Sequence, residues 1–163
     1  MSKKDFSNKQ EKLIANSLNW SVVKGSGARH LYPGDIYSDE WLGECKTHVE
    51  AGKLIQFNFK VWNKIVDESM SVRKYPVLFV DDGSQSLSKT WCICPILPPD
   101  TCLILKYPFR LHKSSISFNH EKMLKIKKDD ERMNNKCIIY SFMIGDQSIY
   151  LMHFQDFLTF YGE

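Results

Sequence analysis

Residues 75–80, Tyr-Pro-Val-Leu-Phe-Val, narrow the folds open to this chain more than any other segment. The run holds no polar alternation, and Asp81-Asp82-Gly83 closes it. A strand of that kind is buried on both faces, as in sheets covered by helices. The segments before it supply such helices. Leu13, Ile14 and Leu18, with Phe6 ahead of them, fall on one stripe of a helix predicted over residues 8–18. Ser7 or Asn8 is its expected N-cap, and it should stop near Asn19. Residues 20–24 read as a short strand. Residues 33–37 and 41–46 read as a hairpin around Ser38-Asp39-Glu40. Residues 54–70 suit a helix packed against a sheet. The predicted order is helix, three strands, helix, strand.

In the second half, residues 91–97 and 102–106 are expected strands around Pro98-Pro99-Asp100, and residues 121–128 a basic, exposed segment. Residues 137–144 and 147–154 form another hairpin around Gly145-Asp146, followed by a helical turn over 155–161. The prediction is a single α/β domain with a mixed central sheet flanked by helices. Its core covers about residues 8–85, and a β-rich C-terminal extension over about 86–163 lengthens the same sheet.

A chain of 163 residues can bury about 70% of its unfolded surface and needs no disulfide or metal staple. No segment approaches the roughly 18 apolar residues of a membrane span, so no membrane association is expected. The polar N-terminus lacks a signal-peptide core and the five cysteines are odd in number, which predicts the cytoplasm. A net charge of +3 and a pI near 8.5 permit nucleic-acid binding without announcing it. Any such function must rest on a site.

The residues that could form one are Asp35 and Glu44-Cys45-Lys46. Strand alternation puts Glu44 and Lys46 on one face and Cys45 on the other, with Asp35 on the hairpin partner. Two carboxylates converging from adjacent strands make an oxygen-rich site for Mg²⁺ or Mn²⁺. A lysine two residues along can orient a water or balance a phosphate. The bare pattern also arises by chance about once in a chain of ordinary composition, as a solvated surface with a weak ion pair.

The combination of Gly25-Ser26-Gly27, Pro33-Gly34-Asp35-Ile36 and Glu44-Cys45-Lys46 resembles the PD-(D/E)xK nuclease superfamily. Within it, the likeness is to archaeal-type Holliday junction resolvases and their phage-borne relatives, over about residues 8–82. The resemblance implies a restriction-endonuclease-like core and metal binding by Asp35, Glu44 and the backbone carbonyl of Cys45. It further implies that Lys46 positions the attacking water, that Glu11 completes the acidic cluster, and that Ser26 lies near the scissile phosphate. Gln56 matches a glutamine of related nucleases and is expected early in the helix after the lysine strand. Two features depart from the pattern. The proline before the aspartate is displaced by one residue, and the second half has no counterpart in compact resolvases.

Each remaining feature has a bland reading beside the functional one. Lys24, Gly25, Ser26, Gly27 and Arg29 are candidate DNA contacts, with His30 a further phosphate contact or base, or else members of an ordinary loop. Without the resemblance, Glu11 reads as a surface residue. Cys92, Cys94 and Cys102 with His112, His120 and His153 raise zinc, but buried free thiols explain the spacing better. Trp62, Phe57 and Phe59 read as core before they read as base-stacking groups. The expected function is a Mg²⁺-dependent (or Mn²⁺-dependent) endonuclease on branched DNA, with four-way junctions as its expected substrate, acting as a homodimer. The alternatives are a nuclease of the same core acting on other DNA, and a DNA-binding protein that keeps the fold without cutting.

Overall fold

In the computed structural model, which describes residues 3–24, 32–108, 111–134 and 137–162, the chain opens with α1 (Lys3–Leu18), β1 (Ser21–Val22), β2 (Ile36–Tyr37) and β3 (Trp41–Lys46). It continues through β4 (Ile55–Asn58), α2 (Phe59–Ser71), β5 (Tyr75–Val80), β6 (Trp91–Cys94), β7 (Cys102–Lys106) and β8 (Ser115–Phe118). The last elements are α3 (His120–Asn134), β9 (Cys137–Ile144), β10 (Gln147–His153) and α4 (Phe154–Tyr161). Eight strands form one mixed sheet in the order β1-β2-β3-β5-β6-β10-β9-β7. The β3–β5 and β7–β9 pairs are parallel and the rest antiparallel. β4 and β8 pair separately.

The apolar run is central, as expected. Pro76 to Val80 are all buried in β5, whose neighbours are β3 and β6. Leu78 and Val80 pack toward Trp62 and Ile65 of α2, the β4–β8 pair and Met123 of α3. Val77 and Phe79 pack the other way, toward Ile14, Ala15 and Leu18 of α1 and Phe154 and Phe157 of α4. The sheet is therefore the middle of three layers, and both apolar clusters draw on both halves of the chain.

Three expectations need correction. Residues 54–70 are not one helix. Ile55 and Phe57 are buried while Gln56 and Asn58 are exposed, a strand period, and β4 pairs Ile55 with Phe118 and Phe57 with Ile116. Asn58 then caps α2, its Oδ1 accepting from the Val61 N–H at 3.0 Å. α1 begins at Lys3, so neither Ser7 nor Asn8 is its cap. Half-buried Phe6 adds a turn to the apolar stripe, and its carbonyl accepts from the Gln85 side chain. Residues 121–128 belong to α3, where Met123 and Lys127 are buried, so that segment is not simply a solvated basic face. The second half lengthens the same sheet, as expected, with β6, β10, β9 and β7, and also supplies β8 to β4 and a helix to each outer layer.

Trp62, 1% exposed, joins α2 to the sheet. Trp62→Ala should lower stability by about 3–5 kcal/mol, read as a shift of the urea midpoint with little change in slope.

Candidate active site

The hairpin register pairs Ile36 with Gly43 and Tyr37 with Leu42. Asp35, the residue before that register, stays against β3 because its N–H donates to the Gly43 carbonyl at 2.8 Å. Gly43 is required here by packing. A Cβ on it would lie 2.7 Å from Ile36 Cγ1 and 3.0 Å from the Phe79 ring, so a side chain would force β2 away from β3. Asp35 Oδ2 accepts from the Cys45 N–H at 2.8 Å. Glu44 and Lys46 share a face, and Lys46 Nζ lies 2.5 Å from Glu44 Oε1. The Glu44 side chain is only 5% exposed, whereas that of Lys46 is 44% exposed.

Glu11 of α1 is buried, against its reading as a surface residue, and accepts from Ser7 Oγ at 2.9 Å. Its charge is felt at both Asp35 and Cys45. Asp35 is pushed up to about 7, first by burial and then by the charges of Glu44 and Glu11, against the opposing pull of the Cys45 N–H and Lys46. The Cys45 thiol is raised by its burial and by the same three carboxylates, which makes it inert.

A divalent cation fits this donor set in chemical kind. Asp35 is held back from ionising first by burial and then by neighbouring negative charge, and Mg²⁺ is commonly held by one or two carboxylates completed by water and phosphate. Among the described residues, no three His, Cys, Asp or Glu side chains converge as a ready-made metal cage.

Two further groups were not singled out by sequence. Lys64 of α2 reaches both Glu44 oxygens at 3.4 Å, and Glu68 at 3.4 Å. Partial burial alone would lower the Lys64 pKa, but Glu44 and Glu68 outweigh it and the net shift is upward. No local pattern marks Lys64; it enters only because α2 lies along β3. The second group is a buried network at the carboxyl ends of β3 and β5. Asp81, 1% exposed, accepts from Thr47 Oγ1 at 2.5 Å, the Gly83 N–H at 2.8 Å and Gln10 Nε2 at 3.0 Å. Gln10 also donates to the Lys46 carbonyl at 3.4 Å. Burial raises the Asp81 pKa, and those three donors hold it back. A signal for this group was present: two aspartates directly after a buried strand, at the sheet end where α/β proteins bind ligands.

A cavity of about 260 Å³ opens beside these groups, lined by Lys46, Thr47, His48, Gln56, Phe57, Asn58, Val61 and Asp81. Gln56 is thus brought to Lys46, but from strand β4 and not from a helix. The Val23 N–H donates to the Asp35 carbonyl at 2.9 Å, so exposed Lys24 follows directly on the residue that pairs with Asp35. Gly25, Ser26, Gly27, Arg29 and His30 lie outside the described residues. Phe57 and Trp62 are core, and Cys92, Cys94 and Cys102 are buried free thiols. His120 is engaged elsewhere, its Nδ1 accepting from Trp91 Nε1 at 3.0 Å.

The Asp35 shift makes a prediction about stability. Its carboxyl titrates at 3.8 in the unfolded chain and near 7 in the fold, so the native state binds more protons between those values. The contribution of Asp35 is most favourable below 3.8 and is lost as pH rises through about 7. In EDTA, Asp35→Asn should be more stable than wild type at about pH 8 and should show a flatter fall in urea midpoint between about pH 5 and 8.

No family model, curated protein or solved structure matches this chain, so the functional reading rests on the site itself.

Proposed function

We propose that the protein is a divalent-metal-dependent endonuclease with a restriction-endonuclease-like core, acting on branched DNA in the manner of a Holliday junction resolvase. One observation carries the reading: the Asp35 carboxylate is bonded to the N–H of Cys45, the residue after Glu44, and feels the Glu44 charge, with Lys46 2.5 Å from Glu44. Asp35, Glu44 and the Cys45 carbonyl would hold Mg²⁺ or Mn²⁺, with Glu11 behind them. What the cation supplies when bound is polarisation of the scissile phosphate and a more acidic water.

The remaining work belongs to the chain. The Lys46 side chain is 44% exposed, and it stands where it can exchange its bond to Glu44 for a water or a phosphate oxygen. Lys64 keeps Glu44 partly neutralised while Lys46 is engaged with substrate. The Cys45 N–H fixes one Asp35 oxygen, which leaves the other to face a ligand. Gln10, by gripping both Asp81 and the Lys46 carbonyl, fixes the backbone from which Lys46 projects.

A second reading, DNA binding without cutting, draws on the two lysines that already balance Glu44. Cleavage of a labelled four-way junction beside matched linear duplex, with Mg²⁺, separates the two. The nuclease reading predicts symmetric nicks near the branch, reduced about 10²–10⁴-fold by Lys46→Ala. No cutting of either DNA by folded protein would leave the binding reading. Cutting of linear duplex at least as fast as junction would move the substrate to other DNA. Paired incisions in a twofold junction also call for a C₂ homodimer, so sedimentation equilibrium at micromolar concentration should return twice the 19.0 kDa chain mass.

A further inference from the structure

Two cysteines stand side by side at the edge of the main sheet that lies farthest from Asp35. β7 is the last strand there, and its parallel register with β9 sets Cys102 directly beside Cys137, each the first residue of its strand. Neighbouring strands lie about 4.8 Å apart, inside the roughly 4.4–6.8 Å Cα spacing that a disulfide spans. Both side chains take the same face. Cys102 belongs to the apolar cluster under α1 and α4, and Cys137 packs against that cluster. Leu103 and Ile138, one position on, belong to the opposite layer. The two sulfurs are in hydrogen-bonding contact.

The other three cysteines have no such neighbour. Cys45 and Cys92 each register with Phe79, Cys92 also with Met152, and Cys94 with Tyr150, and all three are buried. Cys102 is 8% exposed and Cys137 is half-buried, so a reagent from solution reaches Cys137 first. Asp156, in the first turn of α4, hydrogen-bonds the Cys137 side chain, and Lys127 of α3 lies 3.3 Å from Asp156. Burial is the first cause that raises both thiols, and the Asp156 charge adds to it against the pull of Lys127. The pair therefore rests as two protonated thiols.

Independently of the endonuclease reading, we propose that Cys102 and Cys137 are a redox-active pair that closes to a disulfide within the folded protein, with a low-molecular-weight disulfide as the oxidant. Cys137 gives its proton to solvent and its sulfur attacks one sulfur of the external disulfide. A mixed disulfide forms, and the thiolate that leaves takes up a proton. Cys102 then loses its proton and attacks the Cys137 sulfur, and the second external thiol departs. The protein thiols give up two electrons and two protons, and the external disulfide gains them as two thiols. The bond ties off the chain that carries β8 and α3. β8 pairs with β4, whose Gln56, Phe57 and Asn58 line the cavity beside Lys46, so closure of the pair tethers the layer that walls that cavity.

The test treats the full-length folded protein with oxidised glutathione, quenches with acid, counts free thiols in denaturant and maps the crosslinked peptides. The count should fall from five to three, with Cys102 joined to Cys137, and dithiothreitol should restore all five. The oxidised protein should melt at or above the temperature of the reduced one, because the native register already accommodates the bond. Cys102→Ser should stop with one glutathione on Cys137 and no crosslink. Five free thiols after treatment, a crosslink between any other pair, a mixed disulfide that persists in wild type, or a lowered melting temperature on oxidation overturns the proposal.

Discussion

The β3–β5 parallel pair is the constraint on which the rest of this structure depends. Both strands are buried on both faces, so neither can exist without a layer on each side. α1 and α4 form one layer; α2, α3 and the β4–β8 pair form the other. Because β3 and β5 run parallel, the chain must cross between them through β4 and α2. That crossing lays Lys64 against Glu44 and sets Gln56 over Lys46. The site thus follows from the connection the sheet requires, and the strand ends meet where the covering layers leave an opening.

The placement of charge follows from the same burial. Glu44 lies almost wholly within the fold and is tolerable there because two lysines reach it. Among the described residues, no lysine forms an ion pair with Asp35. Asp35 has a backbone N–H and a weaker influence from Lys46, set against burial and two carboxylates, and its proton is held accordingly. A folded protein that keeps a buried aspartate beside two further carboxylates carries a local deficit of positive charge there. In the proposed function a divalent cation makes good that deficit, and Asp81 and Gln10 are scaffolding for the strand end beside it.

Much of this was legible from residues alone, for reasons that differ by element. The 75–80 run announced a doubly buried strand because nothing in it could face water. The 33–46 hairpin was readable from turn chemistry and alternation, and the close of α1 near Asn19 from the β-forming run that follows it; Asn19 itself takes φ +59° there. β4 was hidden because Ile55-Gln56-Phe57-Asn58 runs directly into the apolar stripe of α2, and only pairing with β8, some 60 residues later, identifies it as a strand. Within the site, Asp35, Glu44 and Lys46 were visible by spacing. Lys64 and Gln10 were not, because their proximity to those residues is created by layers packing on a sheet and has no signature in local sequence, whereas Asp81 was signalled by two aspartates closing a buried strand.

The central claim is that the Asp35–Glu44 pair is a cation site kept partly protonated until a cation arrives. Calorimetric titration with Mn²⁺ at about pH 6, repeated in two buffers of different ionisation enthalpy, measures binding and proton release together. The account predicts one ion per chain, with a heat that differs between the buffers because Asp35 gives up its proton, and no binding after Glu44→Gln. Absence of Mn²⁺ binding by the folded protein, or binding whose heat is the same in both buffers, would contradict it.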